Sequence, residues 1–160
     1  MHEAEKIIAQ LGLQPLPHEG GFYRQTWVAP LRAGETRASG SAIYYLITRD
    51  SFSALHRLAM HEIWHFYAGD PVRMVLLHSA GEVQRVILGP DVLAGGQPQV
   101  LVPGGVWQGA RLADGAKRGW ALVGCTVTPA WNDRDFTLGE RAALARRFPE
   151  AADEIARLTR

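Results

Sequence analysis

Between Ser53 and Gly69 the chain reads S-A-L-H-R-L-A-M-H-E-I-W-H-F-Y-A-G, three histidines and a glutamate set among apolar and aromatic residues. Ionisable groups buried without partners are costly, so such mixing marks side chains that are paired or used. An imidazole and the Glu62 carboxylate are the candidate catalytic pair. A carboxylate beside an imidazole fixes its tautomer and raises its basicity, preparing it to take a proton next to a carbonyl. A second segment, V-P-G-G-V-W-Q from Val102 to Gln108, adds an amide. Imidazole, carboxylate and amide together also make a donor set for a divalent metal such as Mn, Fe, Ni or Zn. His2, His18 and His78 have no such company. Cys125, the one cysteine, falls in the apolar run Trp120–Val127 and reads as a buried, inert thiol.

These groups need elements to hold them. Ala4, Ile7, Ile8 and Leu11 recur at helical spacing over residues 3–11, and Gly12 is placed to stop that helix. Pro15–Gly21 breaks regular structure, Phe22–Val28 reads as a strand, and the polar stretch Pro30–Gly40 reads as a flexible loop. Then follow short runs rich in β-branched and aromatic residues: Ala42–Thr48, Ser53–Leu58, Glu62–Tyr67, Arg73–His78, Glu82–Leu88, Gln99–Val102 and Trp120–Val127. Gly, Pro and Asp punctuate them, with no helix between, which predicts an antiparallel sandwich or barrel. Towards the C-terminus Thr137-Leu-Gly-Glu140 has capping-box spacing, and Pro149 can open a second short helix over Glu150–Leu158. At 160 residues the chain is expected to form one domain, its core about 11–138 and a helical tail 139–160.

Lys+Arg 17 against Asp+Glu 16, the basic residues being 15 Arg and two Lys scattered along the chain, argue against a nucleic-acid or membrane partner. The N-terminal residues M-H-E-A-E-K lack the apolar core of a signal peptide, and no apolar run reaches the ~18 residues of a spanning helix, so the expected location is the cytoplasm. Phosphate loops, dinucleotide fingerprints and nucleophile elbows are absent from the sequence.

His56, Glu62 and Gly69 fall on positions of the first cupin motif, with Leu58 where its second histidine is expected. Pro103 and Gly105 fall on the second motif, with Gln108 in the place of its histidine. A narrower resemblance is carried by Glu19-Gly-Gly-Phe-Tyr-Arg24, Ser41–Leu46, Ser53–Arg57, Glu62–Pro71, Val106-Trp-Gln108 and Leu122–Val127. On these the chain resembles the cupin-5 family, small single-domain cupins. The resemblance implies an all-β fold, an antiparallel double-sheet jelly-roll barrel with short N- and C-terminal helices, a small-molecule pocket and a homodimer.

If Glu62 faces the barrel interior as the resemblance implies, strand alternation turns Trp64 and Phe66 inward and His65 outward. His56 and Gln108 then join Glu62 in an aromatic-walled pocket for a polar or sugar-like metabolite. Tyr44 is a further candidate ligand contact, Tyr44, Tyr45 or Tyr67 could supply the opposing acid, and Arg24 is the cation placed to meet an anionic group. Three readings stay open: a metal-free isomerase or epimerase using the His56–Glu62 dyad, a divalent-metal enzyme at His56, Glu62 and Gln108, and a binding or interaction protein without turnover. The strand Phe22–Val28, with Tyr23 and Trp27, is the candidate for crossing to a twofold partner.

Overall fold

A computed structural model describes residues 2–160. Helix α1 (Glu3–Leu11) leads into β1 (Gln14–Pro15), β2 (Phe22–Val28), β3 (Ser41–Thr48), β4 (Ser53–Leu58), β5 (His61–Gly69), β6 (Val72–Leu77), β7 (Val83–Leu88), β8 (Gln99–Val102), β9 (Trp107–Leu112), β10 (Trp120–Thr128) and β11 (Phe136–Leu138). Helices α2 (Arg141–Arg147) and α3 (Ala152–Arg157) follow. The strands form two antiparallel sheets. One has the order β1-β2-β3-β10-β5-β8, the other β11-β4-β9-β6-β7. This is an all-β jelly roll with short terminal helices.

The sheets face each other across a core of Tyr45, Trp64, Met74, Leu76, Leu88 and Val123, all essentially sealed from solvent. Their outer faces are covered separately. The apolar stripe of α1 (Ile7, Ile8, Leu11) lies with Leu46, Trp120 and Tyr44 on the first sheet. Leu144 of α2 and Ile155 of α3 lie with Phe148 and Leu158 against Leu55 and Leu77 on the second. Burying large side chains such as Phe148 contributes about 2–3 kcal/mol each, which anchors an otherwise short helical tail.

Two expectations need correction. Residues 107–112 form a strand that the sequence pattern does not announce: W-Q-G-A-R-L contains Gly and Ala, which are poor strand formers. Partners on both sides, β4 and β6, supply what propensity lacks. The capping box at Thr137 does not form. Thr137 lies in β11, paired with Arg57, so the helix starts later. Glu140 is itself the N-cap, its carboxylate accepting from the backbone N–H of Ala142 and Ala143 at 3.0 and 2.7 Å.

Candidate functional site

The topology brings the two motif residues in from opposite sheets. His56 on β4 lies between Gln108 of β9 and Leu138 of β11. Glu62 on β5 lies between Val102 of β8 and Val127 of β10. Between the sheets, at this end of the barrel, is a cavity of about 670 Å³. Glu19, Tyr23, Tyr45, Glu62, Trp131 and Phe136 are among the residues on its wall. That volume suits a small organic ligand.

Glu62 is buried, and its two oxygens have different fates. Oε2 accepts from Gln108 Nε2–H at 2.7 Å and from the Trp64 indole N–H at 3.2 Å. The same indole N–H also donates to Gln108 Oε1 at 2.8 Å, closing a triangle that holds all three side chains in place. Oε1 accepts no hydrogen bond from these two donors, Glu62 itself lies on the cavity wall, and the Cys125 thiol is a further hydrogen-bonding neighbour of this carboxyl. Burial pushes the Glu62 carboxyl from 4.5 up to about 7. His56 and the two donors pull the other way, and Glu19 adds to the rise. With Oε2 taken by two donors, the proton of the neutral acid rests on Oε1.

His56, expected on the pocket wall, is not among the residues that line the cavity, and it is held by other contacts than those expected. Its Nδ1 lies 2.7 Å from the Ala54 carbonyl, which can only accept, so Nδ1 carries hydrogen and Nε2 keeps the free lone pair in the neutral ring. The ring stacks on Phe136 at 5.3 Å between centroids. The carboxylate within 4.0 Å of Nε2 is that of Glu19. The Ala54 carbonyl therefore sets the tautomer, not Glu62, whose influence on His56 acts through space.

Glu19 is the residue the sequence reading passed over as a site. It is buried, and Ser53 Oγ–H donates to its Oε1 at 2.7 Å. A tight turn delivers it: His18 has φ +65°, Gly20 +101° and Gly21 +71°. A Cβ on Gly20 would meet the Phe52 carbonyl oxygen at 2.5 Å, so only glycine allows that approach. The Tyr45 hydroxyl donates to the Gly20 carbonyl at 2.8 Å, and Arg160 Nη1–H to the His18 carbonyl at 2.6 Å. The available signal was the Glu-Gly-Gly run immediately before a strand.

The remaining sequence candidates divide. Trp64 and Gln108 stand behind Glu62 and support it rather than lining the cavity. Phe66 packs against the core between the sheets and is not on the cavity wall. Tyr44 and Arg24 are on the wrong face. Tyr44 lies in the cluster under α1, and the Arg24 guanidinium sits 5.5 Å from the Tyr44 ring. The reason is alternation: Tyr45 of β3 points inward, so Tyr44 points out. Cys125 is buried with its thiol pushed well up by burial, and it lies on the cavity wall.

A model of the cupin superfamily family Cupin_5 (DUF985) matches residues 5–139. The chain belongs to the Cupin_5 family. Among solved structures it is similar to protein SO0799 from Shewanella oneidensis, with TM-score 0.90 and 34% identity over 100% of this chain and 99% of that one. It is also similar to a hypothetical protein from Leishmania major, with TM-score 0.89 and 31% identity over 98% of each chain. The uncharacterized protein YML079W of Saccharomyces cerevisiae is 28% identical over 156 residues, 86% of this chain and 77% of the yeast protein. More distant cupins share the fold alone, as does oxalate decarboxylase from Bacillus subtilis at TM-score 0.57 and 13% identity, over 91% of this chain and 37% of the enzyme.

Oxalate decarboxylase has Mn(II) centres. The donors of this Cupin_5 chain do not match such a centre. A metal site takes about three convergent protein ligands. Among the described residues no three His, Cys, Asp or Glu side chains are grouped to hold an ion. The Gln108 amide is engaged at both ends, by Trp64 and Glu62, and Leu58 is a buried aliphatic residue where the cupin motif expects a histidine.

Proposed function

We propose that this Cupin_5 protein binds a small polar metabolite between its sheets and moves a proton on it without a metal, as an isomerase or epimerase acting beside a carbonyl. The observation that carries this reading is Glu62, a buried carboxyl on the cavity wall with one oxygen held by Gln108 and Trp64, the other bonded by neither, and its pKa pushed up by burial to about 7. An acid titrating near the working pH can both give and take a proton, which is where general acid–base catalysis is most efficient. His56, stacked on Phe136 of the cavity wall and with Nε2 4.0 Å from the cavity-lining Glu19, is the complementary base, Nε2 carrying the lone pair of the neutral ring. In the forward step the base removes the C–H proton next to the carbonyl while Glu62 Oε1–H protonates the carbonyl oxygen, giving an enediol. His56 then gives its proton to the neighbouring carbon while the Glu62 carboxylate takes the hydroxyl proton of the former α-carbon, which becomes the new carbonyl and isomerises an α-hydroxy carbonyl compound. Protonation of the same carbon by water from its opposite face, with Glu62 taking back the enol proton and His56 losing its own to solvent, epimerises it.

Incubating the protein in D₂O with a panel of aldoses, ketoses and nucleotide sugars, and following carbon-bound deuterium by NMR, tests this reading. Deuterium entering beside the carbonyl of one compound, and lost in Glu62→Gln, is the expected result. A compound that binds in the cavity with no exchange at any carbon would reduce the protein to a binding module. The homodimer belongs to the same proposal. Beyond the short pairing of Phe22 and Tyr23 with β1, the outer edge of β2 is open, and Trp27 stands half exposed on it.

A further inference from the structure

The wall of the cavity is unbalanced in charge. Glu19, Glu62 and Asp133 line it, and none of the described lining residues is Lys or Arg. Of the guanidinium groups nearby, Arg37 is engaged with Asp135 and the Ala130 carbonyl and Arg160 with the His18 and Glu19 carbonyls, Arg24 lies on the far face of the sheet, and Arg134 is exposed and not among the lining residues. Two of the carboxyls, Glu19 and Glu62, are about nine-tenths buried, and one Glu62 oxygen takes no hydrogen bond from Gln108 or Trp64. Around them stand the rings of Tyr23, Tyr45, Trp131 and Phe136. Carboxylates within aromatic walls form the environment that attracts an organic cation and repels a phosphate or a carboxylate.

We propose that the ligand of this cavity carries a positive charge, an amine-bearing metabolite whose ammonium group sits between Glu19 and Glu62 against the aromatic wall. The inference rests on the reading of this cavity as the ligand site, and it narrows the ligand to amine-bearing compounds, against the nucleotide sugars that a sugar-epimerase analogy suggests. A cation entering beside Glu62 favours its ionised form, so binding releases a proton. The other titratable groups coupled to Glu62 or sharing its wall are Glu19, His56, Cys125, Tyr23, Tyr45, His18 and Asp133. Of these, Cys125 and Tyr45 have their pKa values raised well above the ordinary and stay neutral near pH 7.

The test uses ligand-observed NMR with two matched triplets, each one skeleton in three charge states: glucosamine, glucose and glucuronate; benzylamine, benzyl alcohol and benzoate. The cationic members are expected to bind and to compete with one another, and benzylamine, whose amine stays protonated throughout, to bind roughly tenfold more tightly at about pH 8 than at about pH 6, following ionisation of a group near 7. Glu62→Gln should abolish that preference while the protein still unfolds cooperatively, and Glu19→Gln should weaken it. Neutral or anionic members binding as well as the amines would overturn the proposal, as would binding by no member of either triplet. The proton-transfer reading is judged separately, by deuterium exchange. Amine binding without exchange sinks that reading and leaves this one standing; exchange on a neutral carbonyl compound does the reverse.

Discussion

Glu62 keeps its proton to a pH at which exposed carboxyls have lost theirs, because ionising it would place charge in the core beside Glu19. The sign of the consequence for stability follows directly. Between about pH 4.5 and about 7 the folded state holds a proton that the unfolded state has released, so stability falls as pH rises through that window, by up to roughly 3 kcal/mol, and is flat for this group above it. Glu62→Gln removes the titration. Urea unfolding across that range should show a shallower decline in the variant, and an unchanged slope would mean that Glu62 is an ordinary acid. Tyr45 offers a second prediction at this scale. Its hydroxyl holds the Gly20 carbonyl, so Tyr45→Phe should cost about 1–2 kcal/mol in urea unfolding. The sequence made Glu62 visible because an acid amid Ile, Trp and Phe needs a reason. Glu19 was not visible in the same way, because its burial comes from a turn and from Ser53, a residue far along the chain.

The turn before β2 is the element on which the site depends most. Gly21 has φ +71°, and a Cβ there would meet the Leu46 carbonyl oxygen and the Tyr45 ring, each at 2.8 Å. Gly21→Ala is therefore expected to cost at least ~1–2 kcal/mol through backbone strain and overlap, and to displace Glu19, which reads out as weaker binding at the cavity. Stability and binding equal to wild type would show that the turn does not hold the carboxylate. Strands with clear alternation or β-branched residues were legible within a residue or two: Ser53–Leu58, Gln99–Val102 and Phe22–Val28 match observed bounds. The strand at 107–112 was not, since its Gly and Ala carry little strand preference and its place is fixed by two neighbours in the sheet. Thr137 misled for a related reason. Local capping chemistry lost to pairing with β4, a long-range contact that spacing alone does not reveal.

At the scale of the whole molecule the fold was legible from the density of short strands and from two degraded cupin motifs, whereas the cavity wall was only partly so. Its residues come from the turn at 16–19, from β2, β3, β5 and β10, and from the segment 131–136, and only their packing together defines it. No helix among the described residues is long and apolar enough to cross a membrane. The open edge of β2 is expected to pair with a second copy. Trp27→Glu should shift sedimentation from dimer to monomer, and a wild-type monomer would contradict that pairing. Reloading the protein with Mn, Fe, Ni and Zn in turn should leave metal well below stoichiometric, because the donors do not converge. Stoichiometric metal that is lost in His56→Ala would favour a metal centre instead. The most direct test of the site is a ¹³C NMR titration of the glutamate side-chain carboxyls in wild type and Glu62→Gln. A resonance titrating at about 7, and missing from the variant, is the predicted result. A Glu62 carboxyl that titrates near 4.5 would contradict the proposed proton chemistry at this site.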